Sequence, residues 1–161
     1  MSDVKLRRAD SADVHAVAAC VQRAYARYAD RLAYPPKPVL ADYAVVVRET
    51  STWLLESADG ECVGVLVLIE QPDHLLLDNV AVDPAWQKQG LGRRLLEFAE
   101  AEARRLGLSE VRLYTNALMT ENRALYARIG YQQYDRRTVD GRDAVFMRKI
   151  LSPESPQTKD A

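Results

Sequence analysis

The stretch Trp86-Gln87-Lys88-Gln89-Gly90-Leu91-Gly92-Arg93-Arg94 joins a predicted strand to a predicted helix. The apolar run from Leu75 to Val82 predicts the strand, and the apolar spacing from Gly90 to Leu106 predicts an amphipathic helix. The first backbone N–H groups of a helix have no acceptor within it and lie at the positive end of its dipole. The turn that enters this helix is therefore suited to bind a phosphate group.

Two glycines strengthen the prediction of an anion site in this turn. Gly90 and Gly92 have no Cβ, so a ligand can approach the main chain closely. Arg93 and Arg94 follow in the first turn, where basic residues oppose the helix dipole unless an anion lies there too. No Gly-Lys-Ser/Thr follows, and Leu95 occupies the third glycine position, which excludes a P-loop and a dinucleotide fingerprint. Glycines before a helix also serve as simple turn residues, and the turn alone leaves that alternative open.

The composition is that of an ordinary globular protein. The 161 residues are 48% hydrophobic and 28% charged, with 22 basic and 23 acidic side chains. This balance gives no electrostatic footprint for nucleic acid, and no apolar run approaches the ~20 residues that span a membrane. The N-terminus has no apolar signal segment, and Cys20 and Cys62 have no CxxC or metal-ligand spacing. We expect a cytoplasmic protein without a metal, in which both thiols are reduced and buried.

The remaining patterns predict the element order β-α-α-β-β-β-α-β-α-β-β. Strands are predicted at 4–8, 53–57, 62–70, 75–82, 111–115, 131–138 and 144–150. A first helix is predicted after the N-cap Asp10 and ends before Tyr34, and further helices are predicted at 39–48, 90–106 and 121–129. The helix between 75–82 and 111–115 permits parallel pairing of these strands, whereas the short turns elsewhere favour antiparallel pairs. We expect a single α/β (α+β) domain over 1–151, with a mostly antiparallel sheet of six to seven strands and about four helices. A disordered polar tail is expected at 152–161.

A second group of candidate residues lies on the helix predicted at 121–129. Asn122 and Tyr126 are four residues apart and share one face, whereas Leu125 and Ile129 form a neighbouring apolar face. The amide can bind a ligand on which the phenol acts as an acid. The alternative is a half-buried tyrosine whose hydroxyl lies in water, and this helix considered alone favours that alternative.

Taken together and in this order, the two segments resemble the GNAT superfamily of acyl-CoA-dependent N-acetyltransferases. The resemblance is carried by Val80-Ala81-Val82-Asp83-Pro84, Gln87-x-x-Gly90-x-Gly92, Asn122-x-x-Ala-Leu-Tyr126 and Gly130-Tyr131. Each motif is weak alone, and their ordered combination is specific. The resemblance implies a GNAT-like splayed sheet, with acetyl-CoA between the strand that ends at Val82 and the strand at 111–115.

The resemblance also implies roles for individual residues. Tyr126 would protonate the departing thiolate, Asn122 would contact the pantetheine region, and the aromatic and proline-rich segment 34–38 would shape the acceptor pocket. The main chain of two segments would hold the rest of the cofactor. These are Val80, Ala81 and Val82 for the pantetheine arm, and Gln87, Lys88, Gln89, Gly90, Leu91, Gly92 and Arg93 for the pyrophosphate.

An attacking amine also needs a base, because a free alkylamine with a pKa near 10 is mostly protonated at pH 7. A positioned base typically contributes roughly 10² to 10⁴-fold to the rate. Asp78, two residues before Val80, is the best candidate, and Asn79 interrupts the apolar pattern there in a way that suggests a bulge. The alternative, given equal weight, is that Asp78 faces solvent near the strand end. A backbone N–H near Val80 is available to polarise the thioester carbonyl.

The sequence thus predicts an enzyme that transfers an acetyl group from acetyl-CoA directly to a primary amine of a small molecule or peptide. Its predicted catalytic residues are Tyr126 and Asp78. Two other interpretations stay open: a CoA-binding sensor or interaction module without catalysis, and an unrelated protein that binds a phosphate ligand through the same turn. The nearly balanced charge does not identify the acceptor. The edge of the C-terminal hairpin is available to pair with a second chain, as in a homodimer.

Overall fold

The computed structural model describes residues 3–152, and within them the chain forms one seven-stranded sheet in the order β1-β2-β3-β4-β5-β7-β6. The strands are β1 Lys5–Arg8, β2 Ser51–Glu56, β3 Cys62–Glu70, β4 Leu75–Val82, β5 Glu110–Asn116, β6 Gln132–Val139 and β7 Arg142–Ile150. Neighbouring strands pair antiparallel except for β4 and β5, which are parallel. This confirms the predicted mixed, mostly antiparallel sheet. Apart from Ser152, the tail predicted at 152–161 lies outside the described residues.

Helices cover both faces of the sheet. They are α1 Val14–Tyr25, α2 Lys37–Leu40, α3 Tyr43–Glu49, α4 Leu91–Arg105 and α5 Thr120–Ile129. Buried side chains of α1 and α3 pack on one face, and those of α4 and α5 pack on the other. Cys20 and Cys62 are buried free thiols in the first of these layers, as predicted. None of the helices between residues 3 and 152 has the length and apolar character needed to cross a membrane.

The single helix predicted at 39–48 is wrong, because two short helices occupy this segment. Ala41 is extended, with φ −69° and ψ 148°, and it separates α2 from α3. Asp42 then begins α3, since its carboxylate accepts a hydrogen bond from the Ala44 N–H at 3.0 Å. Aspartate is a strong helix N-cap residue, and here this local preference interrupts the apolar periodicity.

The sheet opens between β4 and β5. The two strands pair only near their starts, at Leu75 with Val111 and Leu76 with Arg112. Because they are parallel, their C-terminal halves diverge from that point, and residues 77–80 and 113–116 face each other across a gap. This divergence creates the space in which the candidate site lies.

A bulge shapes the diverging half of β4. Val67 of β3 pairs with Asn79, whereas its neighbour Leu68 pairs with Leu77. Asp78 is therefore the extra residue of β4, which confirms the bulge that the sequence suggested. A bulge bends its strand and redirects a side chain, and here it places the Asp78 carboxylate at the gap between β4 and β5.

Candidate functional site

The turn between β4 and α4 presents backbone N–H groups at a helix N-terminus. Gly90 is the N-cap residue of α4 and has φ +80°. The Arg94 N–H is the first to donate into the helix, to the Gly90 carbonyl at 3.0 Å. The N–H groups of Leu91, Gly92 and Arg93 come before that bond and so have no acceptor within the helix. The structure thus has the local geometry of an anion site where the sequence predicted one.

The first half of this turn is held against the sheet. The Gln87 side-chain amide donates a hydrogen bond to the Val82 carbonyl at 3.2 Å, which fixes the turn to the end of β4. Lys88 and Gln89 form its exposed tip, with Lys88 in a left-handed conformation at φ +66°. The turn is therefore anchored at its start and open to solvent at its tip.

A small cavity of about 40 Å³, the smaller cavity hereafter, continues from this turn along the end of β4 toward α1 and α5. The Tyr28 hydroxyl donates a hydrogen bond to the Asn122 carboxamide oxygen at 3.3 Å. This bond connects the segment that follows α1 to α5. The structure brings together at this cavity five of the residues predicted to bind a cofactor, namely Val80, Ala81, Val82, Gln87 and Asn122.

A second cavity of about 290 Å³, the larger cavity hereafter, fills the gap between β4 and β5. Asp78 and Tyr126, the two predicted catalytic residues, both line it. Tyr25 and Val80 line both cavities, so the two spaces meet at these residues. A volume of about 300 Å³ is at the lower end of the range for small-molecule sites.

The Asp78 carboxylate is half-buried in the wall of the larger cavity. Burial raises its pKa above the ordinary value, because desolvation disfavours the charged form, and the nearby positive charge of Lys37 partly opposes this shift. A carboxylate with a raised pKa is a stronger base than an exposed one. The environment is that of a candidate general base and differs from the open surface of the alternative prediction.

Tyr126 is 5% exposed and lies against the Tyr131 ring, with the two ring centroids 6.0 Å apart. Burial raises the pKa of the Tyr126 phenol well above its ordinary value near 10, so the hydroxyl stays protonated at every physiological pH. Asn122 lies one helical turn earlier and lines the smaller cavity, whereas Tyr126 lines the larger one. A molecule that extends from one cavity into the other would contact both side chains.

Sequence reasoning missed a hydrogen-bonded network behind Asp78. The Tyr25 hydroxyl donates to the Asn79 carboxamide oxygen at 2.8 Å, and the Asn79 amide donates to the Tyr43 hydroxyl at 3.2 Å. The Tyr43 hydroxyl donates in turn to the Pro38 carbonyl at 2.6 Å. Both tyrosines are buried. The one available signal was Asn79, a polar residue inside an apolar strand.

The segment 34–38, called the strap here, runs along the mouth of the larger cavity. The Arg142 guanidinium donates to the Pro35 carbonyl at 3.0 Å and lies 5.6 Å from the centre of the Tyr34 ring. Lys37 forms an ion pair with Asp140 at 3.4 Å. The strap is thus tied to the turn between β6 and β7, and together they close one side of the cavity.

Comparison with known proteins gives a match to a family model and a relative of similar sequence. The family model described as the acetyltransferase (GNAT) family matches residues 17–131. Over 86 residues the chain is 40% identical to [ribosomal protein bS18]-alanine N-acetyltransferase of Escherichia coli strain K12, a match that covers 50% of this chain and 58% of that protein. The matched segment thus spans somewhat more than half of the relative's length.

Solved structures share the fold over nearly the whole chain. The crystal structure of the ribosomal-protein-S18-alanine N-acetyltransferase from Escherichia coli superposes with a TM-score of 0.74 at 25% identity, covering 95% of this chain and 97% of that one. The PaiA N-acetyltransferase from Thermoplasma acidophilum, solved in complex with coenzyme A, gives a TM-score of 0.77 at 18% identity, covering 92% and 99% of the two chains. At 18% identity, the match to the PaiA structure shows a shared fold only.

Proposed function

The chain belongs to the GNAT family of acetyltransferases, and we propose that it is an acetyl-CoA-dependent N-acetyltransferase acting on a primary amine. The observation that carries the proposal is the meeting of the two cavities at Tyr25 and Val80. Residues of the predicted cofactor site line the smaller cavity, and Asp78 and Tyr126 line the larger one. A donor held in the first would present its thioester to an amine held in the second.

We assign the donor end of the site to the turn and the end of β4. The N–H groups at residues 87–93 would bind the pyrophosphate of CoA, because a helix N-terminus favours a polyanion. Beyond Leu76, no strand within residues 3–152 pairs with β4 on its β5 side, so its main chain there can pair with the amides of a pantetheine arm. Asn122, held by Tyr28, would contact the same arm.

We assign the proton removal to Asp78. Its carboxylate, made more basic by burial, would accept a proton from the ammonium and leave a neutral amine to attack the thioester carbonyl. The attack forms a C–N bond and places negative charge on the carbonyl oxygen, toward which the Val80 N–H would donate. The carbon–sulfur bond then breaks, and the products are an amide and a thiol.

We assign stabilisation of the leaving group to Tyr126. An ordinary thiol has a pKa of about 8.5, whereas the pKa of Tyr126 is raised well above 10. The phenol is therefore protonated when the C–S bond breaks and can donate its proton toward the sulfur. Because the thiol is the stronger acid, the main contribution of Tyr126 is a hydrogen bond to the developing thiolate. Two protons leave the amine nitrogen in all: Asp78 takes the first and releases it to solvent, and the second, lost as the tetrahedral intermediate collapses, goes to the thiolate and gives the thiol.

Two measurements test this function. Titration calorimetry compares CoA with adenosine diphosphate and NAD, and we expect CoA to bind most tightly. A thiol-release assay with acetyl-CoA and a panel of primary amines should then show turnover that depends on the amine. A preference for either other ligand would refute the donor assignment. Tight CoA binding without turnover of any amine would instead favour the CoA-binding module.

The panel should contain both small amines and peptides. The Escherichia coli relative, by its name, acts on an alanine of ribosomal protein bS18, and a peptide with an N-terminal alanine is therefore one natural member. The strap over the larger cavity and a volume of about 290 Å³ favour a small acceptor. The ratio of kcat/KM for the peptide to kcat/KM for the small amines decides between a peptide acceptor and a small-molecule acceptor.

A further inference from the structure

Of the residues that the structure describes, four with charged side chains line the larger cavity, and Arg142 differs from the other three in having no charged partner. Lys37 pairs with Asp140 at 3.4 Å, and Asp143 is held by Arg136 at 2.7 Å. Asp78 is half-buried and lies in the field of Lys37. The fourth is Arg142, and across residues 3–152 no carboxylate lies within ion-pair distance of it.

The guanidinium of Arg142 also has unused hydrogen-bonding capacity. It carries five N–H donors, and its one hydrogen bond to the described part of the chain goes from Nη2 to the Pro35 carbonyl. The Nε atom is buried and has no acceptor among the described residues. A buried donor without an acceptor is costly, more so when it is charged. An acceptor group supplied by a ligand would remove that cost.

We propose that the acetyl acceptor is an amino carboxylate, whose carboxylate pairs with Arg142 while its amine lies near Asp78. This inference rests on the proposed function and specifies its substrate class. The planar guanidinium fork matches a carboxylate in a bidentate pair. Phosphate matches the same fork, but Asp78 and Asp143 line the same cavity and would repel a dianion more strongly than a single negative charge.

The sheet order sets the scale of this acceptor. Asp78 lies on β4 and Arg142 begins β7, with β5 between them. Two strand spacings correspond to roughly 10 Å; the divergence of β4 from β5 at Asp78 adds to this separation, and the long arginine side chain spans part of it. The amine and the carboxylate therefore belong to one small molecule with several bonds between them.

The test compares amines that differ only in the carboxylate. Thiol release is measured with acetyl-CoA and with 4-aminobutyrate, 5-aminovalerate, 6-aminohexanoate and several α-amino acids, each beside its carboxamide. We expect kcat/KM for the best carboxylate to exceed that for its carboxamide by about tenfold or more, the usual size of one charge-assisted hydrogen-bond pair. The chain-length series reports the separation of the two subsites.

Variants separate recognition from folding. Arg142→Gln should raise KM for the carboxylate to that of the carboxamide, with kcat and the KM for acetyl-CoA nearly unchanged, and Arg142→Lys should restore part of the preference. Arg137→Gln is the matched control, because Arg137 is on the same hairpin, pairs with Asp135 and does not line the cavity. Thermal melting of each variant shows whether loss of the Pro35 contact has unfolded the strap region.

Several outcomes would overturn the inference while leaving the proposed function standing. Equal kcat/KM for carboxylates and carboxamides is one, and acetylation of a peptide but of no amino carboxylate is another. In Arg142→Gln, a fall in kcat/KM by the same factor for the carboxylate and for its carboxamide would show that Arg142 only holds the strap. If no amine is acetylated, the proposed function fails. The carboxylate subsite is then tested separately, by comparing the thermal shift that 6-aminohexanoate causes with the shift that its carboxamide causes. A stabilisation by both, or by neither, refutes the carboxylate subsite.

Discussion

The Tyr25 hydroxyl donates a hydrogen bond at 2.8 Å to the side chain of Asn79, the residue that follows the bulge of β4. This bond joins α1 to the strand that carries Asp78 and Val80. Asn79 also donates to the Tyr43 hydroxyl, which in turn donates to the Pro38 carbonyl of the strap. One buried amide thus links the bulge, α1 and the cavity wall, which fixes the position of Asp78 relative to the cavity.

Replacing Asn79 by alanine is expected to destabilise the protein by about 1–3 kcal/mol, because the substitution removes two buried hydrogen bonds, the one that Tyr25 donates and the one that Tyr43 accepts. The side chain is 4% exposed, so water cannot easily replace the amide. The free energy of unfolding is measured by urea denaturation. Tyr43→Phe is the comparison variant, since it also removes two hydrogen bonds, those to Asn79 and to the Pro38 carbonyl, but leaves the bond between Tyr25 and Asn79 in place. Equal stability of Asn79→Ala and the wild type would contradict the proposed fixing role.

Tyr126→Phe is expected to lower kcat by about 10², the typical cost of losing one hydrogen-bond donor to a developing charge. The dissociation constant of acetyl-CoA should change little, because the thioester sulfur carries no charge before the bond breaks. Steady-state kinetics and titration calorimetry measure the two quantities.

The chain offers a matched control for this substitution. Tyr131 packs against Tyr126, and its buried hydroxyl has no hydrogen-bond partner among the described residues. Tyr131→Phe should therefore leave kcat unchanged and should keep or increase the free energy of unfolding. If Tyr131→Phe and Tyr126→Phe lower kcat equally, packing and not the Tyr126 hydroxyl controls the rate.

Local patterns in the sequence predicted much of the fold and part of the site. The helix between the strands at 75–82 and 111–115 predicted their parallel pairing, and Asn79 predicted the bulge. The glycines and the helix that follows them predicted the N-terminal turn of α4. Each of these features is determined over a short stretch, by periodicity, connection length or the conformation of one residue.

Contacts between distant segments could not be predicted in this way. Arg142 and Pro35 are 107 residues apart, and no local pattern indicates that the strap meets the turn between β6 and β7. Arg142 appeared in the sequence only as one of 22 basic residues. Its position at the cavity depends on the pairing of β5 with β7, which places the start of β7 beside the end of β5.

The activity is expected to depend on pH through Asp78. A base must be deprotonated, so kcat/KM should rise with pH through the pKa of Asp78, which burial raises above the ordinary value near 3.9. Lys37 lowers that pKa, and Lys37→Met should move the acidic limb of the profile to higher pH. In Asp78→Asn the limb should disappear and the rate should fall by roughly 10² to 10⁴-fold. An acidic limb that persists in Asp78→Asn would assign the base to another group.

The same shift predicts an effect on stability. A carboxyl group whose pKa is higher in the folded than in the unfolded protein destabilises the fold where it is ionised, that is, once the pH exceeds the unfolded value. Asp78→Asn should therefore increase the free energy of unfolding at pH 7, and the gain should vanish as the pH falls below the pKa of Asp78 in the unfolded chain. Urea denaturation at both pH values measures the difference. A loss of stability at pH 7 would show that the carboxylate makes favourable contacts.

Gly90→Val is expected to weaken CoA binding by about tenfold or more, because a displaced turn no longer aligns its N–H groups with the pyrophosphate. Gly90 has φ +80°, a conformation that costs a β-branched residue roughly 1–2 kcal/mol. Gly107→Val provides the control, since Gly107 follows the other end of α4 with φ +76° and should have a similar cost in stability. Calorimetry with CoA should show a weakened complex only for Gly90→Val. Equal affinities for CoA in the two variants would mean that the turn does not hold the pyrophosphate.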